Sequence, residues 1–232
     1  MVDFWKRYRR NRAAVFGLVV IILIIIMALT ASLFYPNDPF RLMGKPLSGP
    51  LTNGFLLGSD SLGRDVASGI VHGAKTSLLI GFVATIVSVF IGIFFGAFAG
   101  YFGGRIDDIL MRVTEIFQTI PSFIFAILLV AIMKPSIVSI VIAIAVVSWP
   151  GVARLVRGEF LALKNREFVQ ACHTLGMSDF RIMLREILPN CLSPIIVVGS
   201  LMVATAILIE SGLAFLGLGD PNIMSWGFLI GA

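Results

Sequence analysis

Charge is scarce in this chain. Asp, Glu, Lys and Arg make up 13% of its 232 residues, against 58% hydrophobic types. With a mean hydropathy of +0.98, this composition excludes a water-soluble globule, which at this size cannot hide so much apolar surface. The apolar runs do not alternate with polar residues, and that absence excludes a transmembrane β-barrel. Cysteine is nearly missing, and Cys172 and Cys191 stand at a spacing that fits no metal or redox motif. SGIVHGAKTS, residues 68–77, lacks the spacing of a phosphate-binding loop: Gly69 lies only four positions before Gly73, and Ala74 precedes Lys75. Nucleophile, base and metal-ligand types do not gather near one interface, so nothing points to an enzyme. No apolar run holds an acid near its middle and no internal repeat is visible, which weighs against the alternative of a secondary transporter.

What the chain has instead is uncharged length. Ala13–Phe34 runs 22 residues without a charge, about 33 Å of helix against about 30 Å of hydrocarbon. Four more runs follow: Thr76–Gly104 (29 residues), Ile116–Met133 (18), Pro135–Ala153 (19) and Ile187–Ile209 (23). The expected class is all-α, a polytopic helical integral membrane protein whose solvent is the lipid bilayer. KRYRRNR before the first run resembles a signal-peptide start. The run is too long, no A-x-A site follows, and four more spans do, so it reads as an anchor. The expected organisation is an N-terminal segment 1–12, a first span 13–34, a loop 35–75, and a core 76–232 with four further spans and a polar connection 154–186.

Charge sets the orientation. Thirteen of the 18 basic residues flank the same side of the spans, in 1–12, at Arg105 and Arg112, and in 154–186; five lie on the other. The positive-inside rule places the N-terminus and 154–186 in the cytoplasm and 35–75 outside. His72 and His173 then fall on opposite sides and cannot share a metal, and both cysteines fall on the reducing side. Topology accounts for the basic pI of 9.6, so no nucleic-acid partner is inferred.

Two local patterns stand out. Ser88, Gly92, Gly96, Gly100 and Gly104 recur every four residues, a small-residue stripe that lets another helix approach closely in lipid. The second is QACHTLGMSDFRIMLREILPN, residues 170–190, polar within an oily chain. Asn165 is the expected N-cap of a helix over 166–175, with Glu167 in its first turn. Phe168, Ala171, Cys172 and Leu175 fall on one apolar face and Gln170, His173 and Thr174 on the other, with Gly176 as a left-handed stop. Ser178 and Asp179 cap a second helix to Leu188, which Pro189 breaks or kinks. The first helix is too short to stand alone in water. It either docks on a cytoplasmic partner or lies on the lipid headgroups.

Gln170-Ala171-Cys172-x-x-x-Gly176, followed by Ile187-Leu188-Pro189, resembles the cytoplasmic "EAA" loop of permease subunits in binding-protein-dependent ABC importers. LGSDSLGRDVASGIVHGAKTSL (57–78) and FLGLGDPNIMSWG (215–227) resemble the dipeptide/oligopeptide/nickel branch, and its C-type subunit in particular. The likeness covers nearly the whole chain, with three motifs in the right order. It departs from the generic loop where Gln170 replaces a glutamate, Cys172 an alanine, and Glu186 a frequent isoleucine.

The resemblance implies the type I ABC importer transmembrane-domain fold in a bacterial or archaeal plasma membrane. It implies a heterodimer with a homologous permease subunit, two ATPase subunits on the cytoplasmic face and an extracytoplasmic solute-binding protein. ATP and Mg would belong to the ATPase subunits, with no cofactor on this chain and no hydrolysis by it. Phe168, Gln170, Ala171, Cys172, Thr174, Leu175 and Gly176 would form the coupling helix, and Arg181–Leu188 with the fifth span would carry its motion to the gate. Glu210 and Ser211 are pathway or gate candidates, since a lipid-facing carboxylate is costly and Glu210 must face bundle, partner or pathway. Asp60, Arg64 and Asp65 would meet the binding protein or order their loop as an internal cluster. The implied cargo is di- or oligopeptide, with nickel or another small solute as the alternative. Family members continue through a sixth span, so the resemblance implies more chain after GFLIGA.

Overall fold

The computed structural model describes residues 8–52 and 54–232, so Lys6, Arg7 and most of the expected N-terminal segment lie outside the described residues. The described residues hold helices and two isolated bridges, Leu42 with Arg64 and Ser59 with Asp65, but no named strand. Two compact units divide the chain, residues 79–220 and the remainder.

The smaller unit begins with α1 (Arg12–Leu29), whose N-cap Asn11 accepts from the Ala14 amide. After Arg12 every residue of α1 is apolar or glycine, and only Ala28 is buried. A helix that is oily all round and uncovered is a lipid-facing span. Thr30 ends it, and α2 (Ala31–Phe34) adds one turn. α3 (Val66–Phe102) starts ten residues before its uncharged run, because the Asp65 side chain accepts from the Ala67 amide and caps it there. The last ten residues of the expected loop 35–75 are therefore helical. Nothing in Ser68, His72 or Lys75 opposes a helix; they end the apolar run and leave the helix intact.

Gly69 and Gly73, the glycines of the false phosphate loop, serve packing. A Cβ at Gly69 would stand 2.6 Å from Leu229, and one at Gly73 3.1 Å from the Trp226 amide. Both partners lie in or beside the last helix (Trp226–Gly231), which Ser225 caps. Trp226 donates from its indole to the Ile70 carbonyl at 2.9 Å and from its amide to Ser77.

In the larger unit α3 continues and meets α6 (Ile137–Leu163) along the glycine stripe. A Cβ would stand 2.6 Å from Val152 Cγ1 at Gly92, 2.8 Å from Val156 Cβ at Gly96, and 2.6 Å from Phe160 Cβ at Gly100. The stripe thus packs helix on helix. It ends at Gly100, because Gly103 and Gly104 turn into the left-handed region (φ 67° and 52°) and start α4 (Gly104–Gln118).

The expected third span is bent. α4 is amphipathic, α5 (Ser122–Met133) is apolar, and the two meet at 81° across residues 119–121. Pro121 stands between them with an extended ψ of 126°, where it cannot extend α4. The 12 residues of α5 span only about 18 Å, short of a bilayer core. Four helices are long and apolar enough to cross a membrane, or five if the bent pair counts as one.

α6 is the hub, with α4, α5 and α9 packed around it. The chain then passes α7 (Glu167–Thr174), α8 (Asp179–Ile182), a π-helical turn (Met183–Ile187) and α9 (Leu188–Leu213). The expected break near Leu188 is absent. The wide turn before Pro189 absorbs a residue with no N–H whose ring would crowd the carbonyl four residues back, and α8 runs into α9 as one 40-residue helical stretch.

Candidate functional site

The segment 165–190 is organised by burial. Arg166, extended at ψ 151°, holds the N-cap position of α7 without a side-chain bond, so the expected Asn165 cap is displaced by one residue. Asn165 contributes its carbonyl, which accepts from Gln170 Nε2 at 3.2 Å. Val169, fully buried, anchors the helix in a core shared with Val156, Phe160, Ile182 and Ile187. Cys172 is half-buried against the same core.

The expected apolar face is therefore divided. Cys172 turns inward with Val169, while Phe168, Ala171 and Leu175 stay outside, Leu175 at 80% exposed. A leucine that open beside a phenylalanine, on a helix fixed from below, is a ready contact surface. Gln170 and Thr174 are exposed, and the Thr174 hydroxyl donates to the Gln170 carbonyl at 2.8 Å. Val169 is a position that face-counting passed over, because the wheel was centred one residue away.

Gly176 closes the helix at φ 73°. The Met177 amide donates to the Cys172 carbonyl at 3.1 Å and the Gly176 amide to that of His173 at 3.0 Å, the paired bonds of a Schellman stop. On the next element, the Tyr101 hydroxyl donates to Asp179 Oδ1 at 2.7 Å. Nearby, Arg157 holds Asp107 through Nε–Oδ1 at 2.5 Å and Nη2–Oδ2 at 2.6 Å, a two-pronged pair joining α6 to α4. Arg157 also lines an open cleft of about 550 Å³ with Asp108, Arg112, Glu115 and Arg154.

The remaining candidates sit apart from this segment. Glu210, in α9, is 1% exposed, and Ser211 beside it is half-buried. Asp60 accepts from the Leu62 and Arg64 amides at 2.9 and 2.8 Å, and Asp65 caps α3. The Arg64 guanidinium lies between the rings of Phe40 and Phe228, 5.3 and 5.5 Å from their centroids, with Nε 3.9 Å from Asp60. Ring faces and one carboxylate hold this cation, which a ledger of hydrogen bonds alone would miss. Burial first, and then the Asp65 charge, raise the Tyr35 phenol above its ordinary pKa. Among the described residues no three His, Cys, Asp or Glu side chains are grouped to hold a metal.

These features define a multi-pass helical membrane protein that presents a short, core-anchored helix outside its spans. The chain belongs to the family described as binding-protein-dependent transport system inner membrane component, whose model matches residues 92–227. A second model, the N-terminal TM domain of oligopeptide transport permease C, matches residues 1–50. The chain is 42% identical to the oligopeptide transport system permease protein of Escherichia coli K12, over 98% of this chain and 76% of that one. It is 38% identical to the di/tripeptide transport system permease protein of Pseudomonas aeruginosa, over 98% and 78%. It is 40% identical to the glutathione transport system permease protein of Shigella flexneri, over 98% and 76%. Its fold matches the MetNI methionine ABC transporter at a TM-score of 0.58 and 17% identity, covering 66% of this chain and 77% of that one. The fold is that of an ABC importer transmembrane domain, and the chain is a permease subunit.

Proposed function

We propose that this subunit pairs with a homologous permease to form the pathway of an ATP-driven importer of di- and oligopeptides. Two ATPase subunits, holding ATP and Mg, seat on the cytoplasmic face, and an extracytoplasmic binding protein delivers the solute. The N-terminus is cytoplasmic, in a bacterial or archaeal plasma membrane, and this chain hydrolyses nothing. The observation that carries the reading is the divided face of α7, with Val169 holding it from below while Phe168, Ala171 and Leu175 stay open above. A helix so fixed transmits a push instead of absorbing it. Closure of the ATPase pair would displace α7 as a rigid body, and the continuous helix from Asp179 onward offers an unbroken route to the membrane interior.

Peptide cargo is supported by the names of the relatives, and the glutathione relative favours glutathione or another small solute as the second reading. Uptake of labelled dipeptide, and not of glutathione, by the reconstituted importer is the expected result; the reverse overturns the cargo assignment. Ala171→Glu puts an unpaired carboxylate into the docking contact, costing several kcal/mol, roughly. Gly176→Val forces a branched residue to positive φ at about 1–3 kcal/mol. Each variant should still insert and still pair with its partner permease, yet lose bound ATPase subunits or their stimulation by solute. Normal stimulated hydrolysis in both sinks the docking role. A cysteine at Ser48 should label from outside the cell while Cys172 does not, and labelling of both from one side refutes the orientation.

A further inference from the structure

The polar contacts of the α7–α8 turn converge on one side chain of another helix. Tyr101, next to the last residue of α3, donates its hydroxyl to Asp179 Oδ1 at 2.7 Å. The same oxygen lies 3.5 Å from His173 Nε2, and the two rings stack with centroids 6.4 Å apart and planes 26° from parallel. His173 is in the last turn of α7 and Asp179 is the first residue of α8. One phenol therefore bridges both sides of the Gly176 stop. A short hydroxyl–carboxylate bond is directional and strong among hydrogen bonds, whereas the Val169 contact below is apolar and permits rotation about it.

We propose that Tyr101 is a positioning residue that locks the α7–α8 turn to the end of α3, so that displacement of α7 moves α3 directly. α3 cannot absorb the displacement by sliding, because Gly92, Gly96 and Gly100 interlock it with Val152, Val156 and Phe160 of α6. Movement then enters the membrane by this pair of helices as well as along α8 and α9. The inference rests on the reading of α7 as the ATPase-docking helix and adds a second route to it.

Tyr101→Phe keeps the ring and its stacking and removes only the hydroxyl, so it separates transmission from folding. The complete importer, with both permeases, the ATPase subunits and the binding protein, is reconstituted in liposomes, and dipeptide uptake and ATP hydrolysis are measured together. The expected result is retained ATPase binding and an unchanged melting temperature, with uptake per ATP reduced about tenfold, the worth of one hydrogen bond to a charged group. Asp179→Asn should give a similar loss, and the double variant should lose no more than either single one. Wild-type uptake per ATP in Tyr101→Phe overturns the proposal, as does loss of the ATPase subunits or of thermal stability in that variant. Failure of the docking reading shows separately: Ala171→Glu would then keep its ATPase subunits bound and stimulated.

Discussion

α1 and α6 are both long apolar helices, and they are built for different surroundings. α1 is the oilier, with no polar side chain after Arg12 and one buried residue. α6 carries serines, a proline, arginines and Glu159, yet buries eleven residues and touches α3, α4, α5 and α9. In water the oilier helix would be the better buried. In lipid the solvent is as apolar as leucine, so hydrophobicity gives no reason for helices to associate, and close approach and polar contacts decide. The less hydrophobic of the two is therefore the integrated one, held by glycines facing it from α3 and by Arg157 on Asp107.

That contrast can be broken or sharpened by substitution. Gly96→Leu should do the most damage, since even a Cβ there crowds Val156 at 2.8 Å and the Ala153 carbonyl. A loss of about 3 kcal/mol or more is expected, read as a large fall in the melting temperature of the detergent-solubilised subunit. Unchanged melting would mean that the α3–α6 contact carries no stability. Arg157→Ala comes next. It strands Asp107, whose side chain is 13% exposed, while Arg157 itself is 35% exposed. The expected loss is about 2 kcal/mol, between the values for buried and surface pairs. Asp107→Ala in that background should restore part of it, and a further drop would show that the two act independently. Leu23→Ala on α1, at a residue 60% exposed, should cost under about 0.5 kcal/mol, because lipid replaces what the side chain touched. A core-sized loss in the assembled importer would instead place a protein partner on α1.

The spans were legible because uncharged length maps directly onto bilayer thickness, and the Gly176 stop because a glycine after an apolar repeat has few other uses. The bend at Pro121 was hidden for the same reason that the spans were visible: a run counted by charge carries no direction, so Ile116–Gln118 were merged with α5 although they end α4. Face-counting found α7 but assigned Phe168 and Leu175 the side that Val169 occupies, since eight residues give the wheel little to average over. The partners of Tyr101, Arg157 and Arg64 lie 78, 50 and 164 positions away at Asp179, Asp107 and Phe228. Only the fold puts those side chains together.

The π-helical turn at Met183–Ile187 has a consequence for heredity. It holds one residue more than an α turn would over the same stretch, and Leu188–Leu213 is threaded on the far side of it. Losing that one residue would turn every side chain of α9 by about 100° relative to α8. Cys191, Ile195 and Ala206 would leave the core and the outward row beside them would enter it. A gain or loss of length in the loop between Tyr35 and Asp65 changes a connection; the same event here exchanges the inside of a membrane helix for its outside. The extra residue and the composition of both faces of α9 can therefore only be inherited together.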